Sequence, residues 1–137
     1  MKTLVVLPTY NEAETIEEVL RRTRAALPSA AVLVVDDGSP DGTADLAAKL
    51  GVELGSVDVL RRTARRGLGD AYRAGFAWGM ERGAEALVEM DSDLSHDPAA
   101  LPGLVEPLAQ NDLVIGSRYV PGGSIPQWGL HRRLLSK

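Results

Sequence analysis

Short apolar, β-branched runs recur along this chain at Thr3–Leu7, Ala31–Val35, Val57–Leu60, Ala86–Met90 and Leu113–Gly116, and between them the apolar residues switch to helical spacing. Runs this short and this apolar read as strands buried on both faces. Ile16, Val19, Leu20 and Leu27 recur at helical steps up to Pro28, and Asn11 with Glu14 three residues on predicts a capping box at that helix's start. Thr43 predicts the cap of a second helix through Leu50 to Gly51. Gly67-Leu68-Gly69 opens a third, in which Leu68, Tyr72, Phe76 and Met80 form one stripe expected to be buried, with Gly75 and Gly79 allowing close packing on a sheet. Pro98–Gln110 reads as helix broken by Pro102 and Pro107, and Trp128–Lys137 as the start of a last helix. Strands alternating with helices dictate an α/β fold with a mostly parallel sheet and right-handed crossovers.

Ligands of such sheets bind outside the carboxyl ends of the strands. The polar clusters fall at those ends: Pro8–Glu12, Asp36–Ser39, Asp91–Asp93 and Gly116–Arg118. The sharpest of them is MDSDLSHDP at 90–98. Along an extended chain residues i and i+2 point to one side, so Asp91 and Asp93 can present two carboxylates to one point. Carboxylates held that close repel unless a cation sits between them or one takes a proton. Hard oxygen ligands suit Mg²⁺ or Mn²⁺, ions that commonly also bind substrate phosphates. A lone D-x-D is otherwise a capped turn; its coincidence with the other strand ends favours the site. Within the Asp36-Asp37 pair, Asp36 reads as a strand cap and Asp37 as the ligand contact. His96 has no second histidine at ligand spacing and reads as a loop residue bonded to backbone.

With 137 residues the chain is one domain's worth. It contains no cysteine, which excludes disulfides, thiolate metal sites and cysteine nucleophiles. The net charge of −4 argues against general nucleic-acid binding. Basic residues nonetheless cluster locally, at Arg61, Arg62, Arg65 and Arg66 and again across Arg118–Lys137, which carries no acid. The second cluster suits gripping a phosphate; the first reads as a solvated face, with a membrane-surface role open. No apolar run approaches the ~20 residues of a membrane-spanning helix, and MKTLVVLP is too short for a signal peptide.

PTYNE (8–12), VVDDGSPDGT (34–43), GLG (67–69), MDSDLSHDP (90–98), GSRY (116–119) and a W-x-x-x-R-x-x-x-S pattern at Trp128, Arg132 and Ser136 occur in one order. Together they resemble the polyprenol-phosphate sugar transferases of glycosyltransferase family 2, and most of all the dolichol-phosphate mannosyltransferases, over nearly the whole chain. The resemblance implies a single GT-A domain over 1–137, a Rossmann-like nucleotide-sugar fold, and Mg²⁺ or Mn²⁺ as cofactor. Pro8, Tyr10 and Glu12 match the first nucleotide-contacting loop, and Val35 and Asp37 the positions around base and ribose. Asp91, Ser92 and Asp93 match the residues that hold diphosphate and metal. Arg118 matches an arginine between donor and acceptor phosphates, and Arg132 and Ser136 the acceptor-phosphate grip, with Arg133 alongside. Position 95 is Gln in some members and Ser95 here. Family members usually run about a hundred residues further, so the resemblance also implies that the C-terminal part usual in the family lies outside this sequence.

The implied reaction is sugar transfer, mannose from GDP-mannose, to a polyprenyl or dolichyl phosphate, with inversion. The implied catalytic pair is Asp93 and Arg118, and the setting is cytoplasmic, peripheral at the cytoplasmic face of the membrane. Two alternatives stay open: glucosyl transfer from UDP-glucose, and a nucleotide-sugar-binding domain without full activity. A response-regulator receiver needs its acid pair after the first strand and a lysine after the fifth. Here the pair follows the second strand and the lysines are Lys2, Lys49 and Lys137, which argues against it.

Overall fold

The computed structural model describes residues 1–117 and 119–123. Four parallel strands, β1 (Thr3–Thr9), β2 (Ala31–Asp36), β3 (Val57–Arg61) and β4 (Ala86–Glu89), form one sheet in the order β3-β2-β1-β4. β1 is buried along its whole length because it has a partner on each side and helices on both faces. Its side chains alternate between those faces. Val5 and Leu7 pack with Ile16, Val19 and Leu20 of α1 (Ile16–Ala26) and Ala47 and Leu50 of α2 (Thr43–Leu54). Leu4 and Val6 pack instead with Ala71 and Tyr72 of α3 (Leu68–Glu81). The helices thus divide two and one about the sheet, and every crossover leaves from the carboxyl end of one strand and returns the chain to the amino end of the next, so that all four carboxyl ends lie on one side.

The third helix departs from its expected stripe. Leu68 and Met80 are exposed, and the buried face runs through Ala71, Tyr72, Gly75 and Gly79. The glycines decide this. A Cβ on Gly75 would lie 2.4 Å from Val6 Cγ1, and one on Gly79 2.6 Å from Leu4 Cδ2. The helix backbone itself lies against the sheet there, and the larger residues are turned aside. Gly75→Ala should therefore force the helix off β1 and lower stability by about 1–3 kcal/mol, as overpacking does. Chemical denaturation checks it; an unchanged midpoint would mean the helix moves freely.

Two helix boundaries also differ from expectation. α1 begins at Ile16 with Thr15 as its N-cap and no side-chain cap bond, so the Asn11–Glu14 capping box does not form. Asn11 instead takes a left-handed backbone, φ 56°, and its N–H donates to Ser39 Oγ. α2 does not stop at Gly51 but runs to Leu54 and ends at Gly55, φ 71°. Gly51 is spent on packing, since a Cβ there would sit 2.7 Å from the Val57 carbonyl oxygen.

The segment after β4 is a 3-10 turn at Pro98–Ala100, a short helix α4 (Leu101–Val105) and a second 3-10 turn at Glu106–Ala109, the interrupted helix that its prolines predict. The expected fifth strand at Leu113–Gly116 is not formed. The sheet ends at β4, residues 113–117 are irregular, and Leu113 and Ile115 are 74% and 77% exposed. An apolar run becomes a strand only where another edge supplies hydrogen bonds and a covered face, and neither reaches this segment among the described residues. Gly116 and Ser117 are accordingly not mounted on a strand end, and Arg118 lies outside the described residues.

Candidate active site

The loop after β1 is docked on the loop after β2 through its backbone. The Asn11, Glu12 and Ala13 N–H groups donate to Ser39 Oγ, Thr43 Oγ1 and Asp41 Oδ2 at 2.9, 3.0 and 3.1 Å. Ser39 in turn donates its hydroxyl to Asp36 Oδ1, which also accepts from Thr9 Oγ1 at 2.8 Å. Asp36 is 2% exposed and is the internal tie expected of it. The DDGSPDGT run thus works first as a seat for the PTYNE loop.

Asp37 is almost as buried, at 7%, and its carboxylate is clamped by Arg62 from the end of β3 through Nε at 2.7 Å and Nη2 at 3.1 Å. Arg62 Nη1 reaches on to Asp70 Oδ2 in the first turn of α3, 2.8 Å away. This corrects the reading of Arg61–Arg66 as one solvated face. Arg62 is a structural partner of a site acid, and Arg65 lays its guanidinium 4.4 Å from the centroid of the Tyr10 ring. Arg61, Arg65 and Arg66 are exposed, Arg61 pairing with Asp45 at the surface, and Arg61, Arg62 and Arg66 line an open cleft at this corner. Sequence reasoning missed Arg62 because four arginines in six residues carry no periodic signal that separates an inward one from its neighbours.

Across β1, the loop after β4 is pinned from three directions. Ser92 Oγ donates to the Pro8 carbonyl at 2.8 Å, Thr15 Oγ1 donates to the Ser92 carbonyl at 2.7 Å, and the Asp91 N–H donates to His96 Nδ1 at 3.1 Å. His96 serves the loop backbone, as expected. Asp91 also accepts from the Tyr72 hydroxyl, at 2.8 Å through Oδ1. Burial first, then Asp91, pushes the Tyr72 phenol well above its usual range, so it stands here as a donor. Asp93 is exposed and accepts from the Ser95 N–H at 3.0 Å; bonding by Ser95 holds its carboxyl below the usual range. Glu12 faces this loop from the end of β1. Burial first, then the charge of Asp93, with smaller contributions from Asp41 and Asp91, pushes its carboxyl upward.

Asp37 and Asp91 therefore stand at the same end of the sheet, on either side of β1. Around them sit Pro8, Tyr10, Glu12, Ser92 and Asp93. Two expected contact residues are turned away. Val35 is fully buried against α3, and the Ser92 side chain, 2% exposed, is committed to Pro8; side-chain contact with a ligand is not open to either. Arg118, Arg132, Arg133, Ser136 and Trp128 lie outside the described residues.

Among the described residues no group of three His, Cys, Asp or Glu side chains is gathered to cage an ion. The donor chemistry at this end of the sheet is hard carboxylate oxygen, from Asp91 and Asp93. That set fits a divalent ion such as Mg²⁺ or Mn²⁺ that takes one or two carboxylates and fills its other positions with water and phosphate oxygens.

The profile of Glycosyl transferase family 2 matches residues 4–137. Undecaprenyl-phosphate mannosyltransferase of Micrococcus luteus is 54% identical over 136 residues, covering 99% of this chain and 56% of the relative. Among solved structures, a mannosyltransferase from Pyrobaculum calidifontis in complex with GDP-Man and Mn²⁺ superposes with a TM-score of 0.59 at 28% identity, over 77% of this chain and 33% of that one. Glucosyl-3-phosphoglycerate synthase from Mycobacterium tuberculosis, in complex with Mn²⁺, UDP and glucosyl-3-phosphoglycerate, gives 0.60 at 29% identity, over 81% and 40%. The chain spans about half the length of the curated relatives it matches.

Proposed function

This chain belongs to glycosyltransferase family 2, and we propose that it carries the nucleotide-sugar site of an inverting, divalent-metal-dependent transferase that moves mannose from GDP-mannose to a polyprenyl phosphate. One observation carries the reading: Asp91 and Asp93 stand at the carboxyl end of the sheet, across β1 from the clamped Asp37. Two carboxylates on one loop at that end of the sheet suit a site that receives a divalent cation. The similarity to mannosyltransferases, and the GDP-Man bound to the P. calidifontis enzyme, support the choice of sugar and nucleotide.

In this reading Tyr10 and Asp37 receive the nucleoside, and Asp91 and Asp93 hold Mn²⁺ or Mg²⁺ together with the diphosphate. When bound, the ion neutralises charge gathering on the leaving diphosphate. The acceptor is a phosphate, ionised at neutral pH, so no strong general base is required and none is assigned. Its oxygen attacks the anomeric carbon as the bond to the diphosphate breaks, which inverts that centre. Arg118 and Arg132, with Ser136, are proposed to hold the acceptor phosphate; guanidinium binds phosphate oxygens bidentately and offsets their repulsion from the donor. Catalysis would then rest on positioning and electrostatics. Among the described residues no helix is long and apolar enough to cross a membrane; the lipid acceptor would place the site at the membrane surface, on the cytoplasmic face.

Thermal unfolding with added donors tests this. GDP-mannose with Mn²⁺ should raise stability by about 2.7 kcal/mol at a hundredfold excess over Kd, and little without the metal. Stabilisation by UDP-glucose alone would move the assignment to a glucosyl donor, the class of nucleotide bound by the M. tuberculosis neighbour. Donor binding without transfer to a short polyprenyl phosphate would leave a binding domain only.

A further inference from the structure

Tyr72 does something that its place in the hydrophobic core does not require. Its ring is buried in the α3 face of the sheet with Leu4, Val6, Leu33 and Val35, and a phenylalanine would fill that space equally well. Its hydroxyl emerges from the core at the site and donates to Asp91 Oδ1 at 2.8 Å. A carboxylate offers two oxygens and about four acceptor positions, so this bond leaves Oδ2 and a second Oδ1 position open while removing the carboxylate's rotational freedom. α3 is a rigid mount for that bond, because Gly75 and Gly79 seat its backbone directly on β1 and its neighbours. The same helix holds Asp70, two residues before Tyr72, which anchors Arg62 and through it Asp37. One turn of α3 therefore sets the positions of both the nucleoside-side acid and the metal-side acid.

We propose that Tyr72 is a positioning residue for metal capture, its hydroxyl fixing the Asp91 carboxylate in the orientation that receives the divalent ion of the nucleotide-diphosphate site. The inference rests on the functional reading above. Groups that hydrogen-bond a metal ligand commonly contribute 10–100-fold to metal affinity. The side chain that touches the ion is Asp91; Tyr72 acts through it.

The test is Mn²⁺ titration of the full chain in the presence of GDP, with free Mn²⁺ read by electron paramagnetic resonance, for wild type and Tyr72→Phe. Wild type should bind, and Tyr72→Phe should bind Mn²⁺ roughly 10–100-fold more weakly while GDP affinity measured without metal stays within about twofold. A merely structural role would weaken both alike. Equal Mn²⁺ affinity in the two proteins overturns the role of Tyr72 and leaves the site assignment standing; no Mn²⁺ binding by wild type overturns the site assignment and this inference with it. Should Tyr72→Phe fail to fold, the wild type with carbon-labelled tyrosine rings answers instead. Addition of Mg²⁺ and GDP should shift the Tyr72 Cζ resonance, assigned by elimination with Tyr10→Phe and Tyr119→Phe, and an unmoved resonance overturns the proposal.

Discussion

Asp91→Asn and Asp93→Asn should each weaken Mn²⁺-dependent binding of the nucleotide sugar roughly a hundredfold while leaving the protein folded. The amide keeps the local bonds: its oxygen at position 91 can still accept from Tyr72, and at position 93 from the Ser95 N–H, the partners that the carboxylates use. What disappears is a formal charge. Losing one member of a close charge pair costs about 3 kcal/mol or more, roughly a hundredfold in Kd. The metal-free variants should not be less stable, and are expected to be slightly more so, because each substitution relieves Glu12 of a neighbouring negative charge. Calorimetric titration of GDP-mannose with and without Mn²⁺, beside melting curves of the free proteins, separates the two effects. Wild-type affinity in the double variant would mean that the metal site is elsewhere.

Arg62→Ala should be the most destabilising single change at the site. It removes a guanidinium whose side chain is 16% exposed and leaves Asp37, at 6%, without its partner. Stranding one charge of a buried pair costs about 3 kcal/mol. The loss should spread, since Arg62 also ties β3 to the first turn of α3 through Asp70. Arg62→Lys should recover only part, because an ammonium cannot donate to both Asp37 oxygens and to Asp70 in one fixed plane. Urea unfolding of the three proteins measures it; a loss below about 1 kcal/mol, the worth of an exposed pair, would show that water replaces the clamp.

The sheet was legible because a strand buried on both faces has to be apolar along its length. β1 and β2 announce themselves in that way, whereas β3 and the edge strand β4 are only partly buried; a segment with polar residues at its end announces where the ligand side lies. The same logic misread Leu113–Gly116, which has strand composition and no partner edge among the described residues. Local capping rules named Asn11 and Gly51, yet both residues answer to contacts outside their own helices: Asn11 to Ser39, Gly51 to Val57. The buried stripe of α3 was misplaced because hydrophobic spacing counts side chains, whereas this helix packs through residues that lack them.

The division follows from what kind of interaction carries each feature. Burial pattern, charge and the succession of polar motifs are properties of short segments, so the α/β class, the carboxylates Asp91 and Asp93, and the side of the sheet they occupy were all determined by the sequence alone. Which polar atoms meet is a property of packed elements. Only the tertiary structure selected Arg62 from its neighbours to clamp Asp37, turned Val35 and the Ser92 hydroxyl inward, and brought the Tyr72 phenol from the core to Asp91. Each of those contacts joins residues from different strands, helices or loops, and the approach of α3 is set by glycines that let it lie against β1. No local pattern encodes such a distance, because it depends on where two elements come to rest.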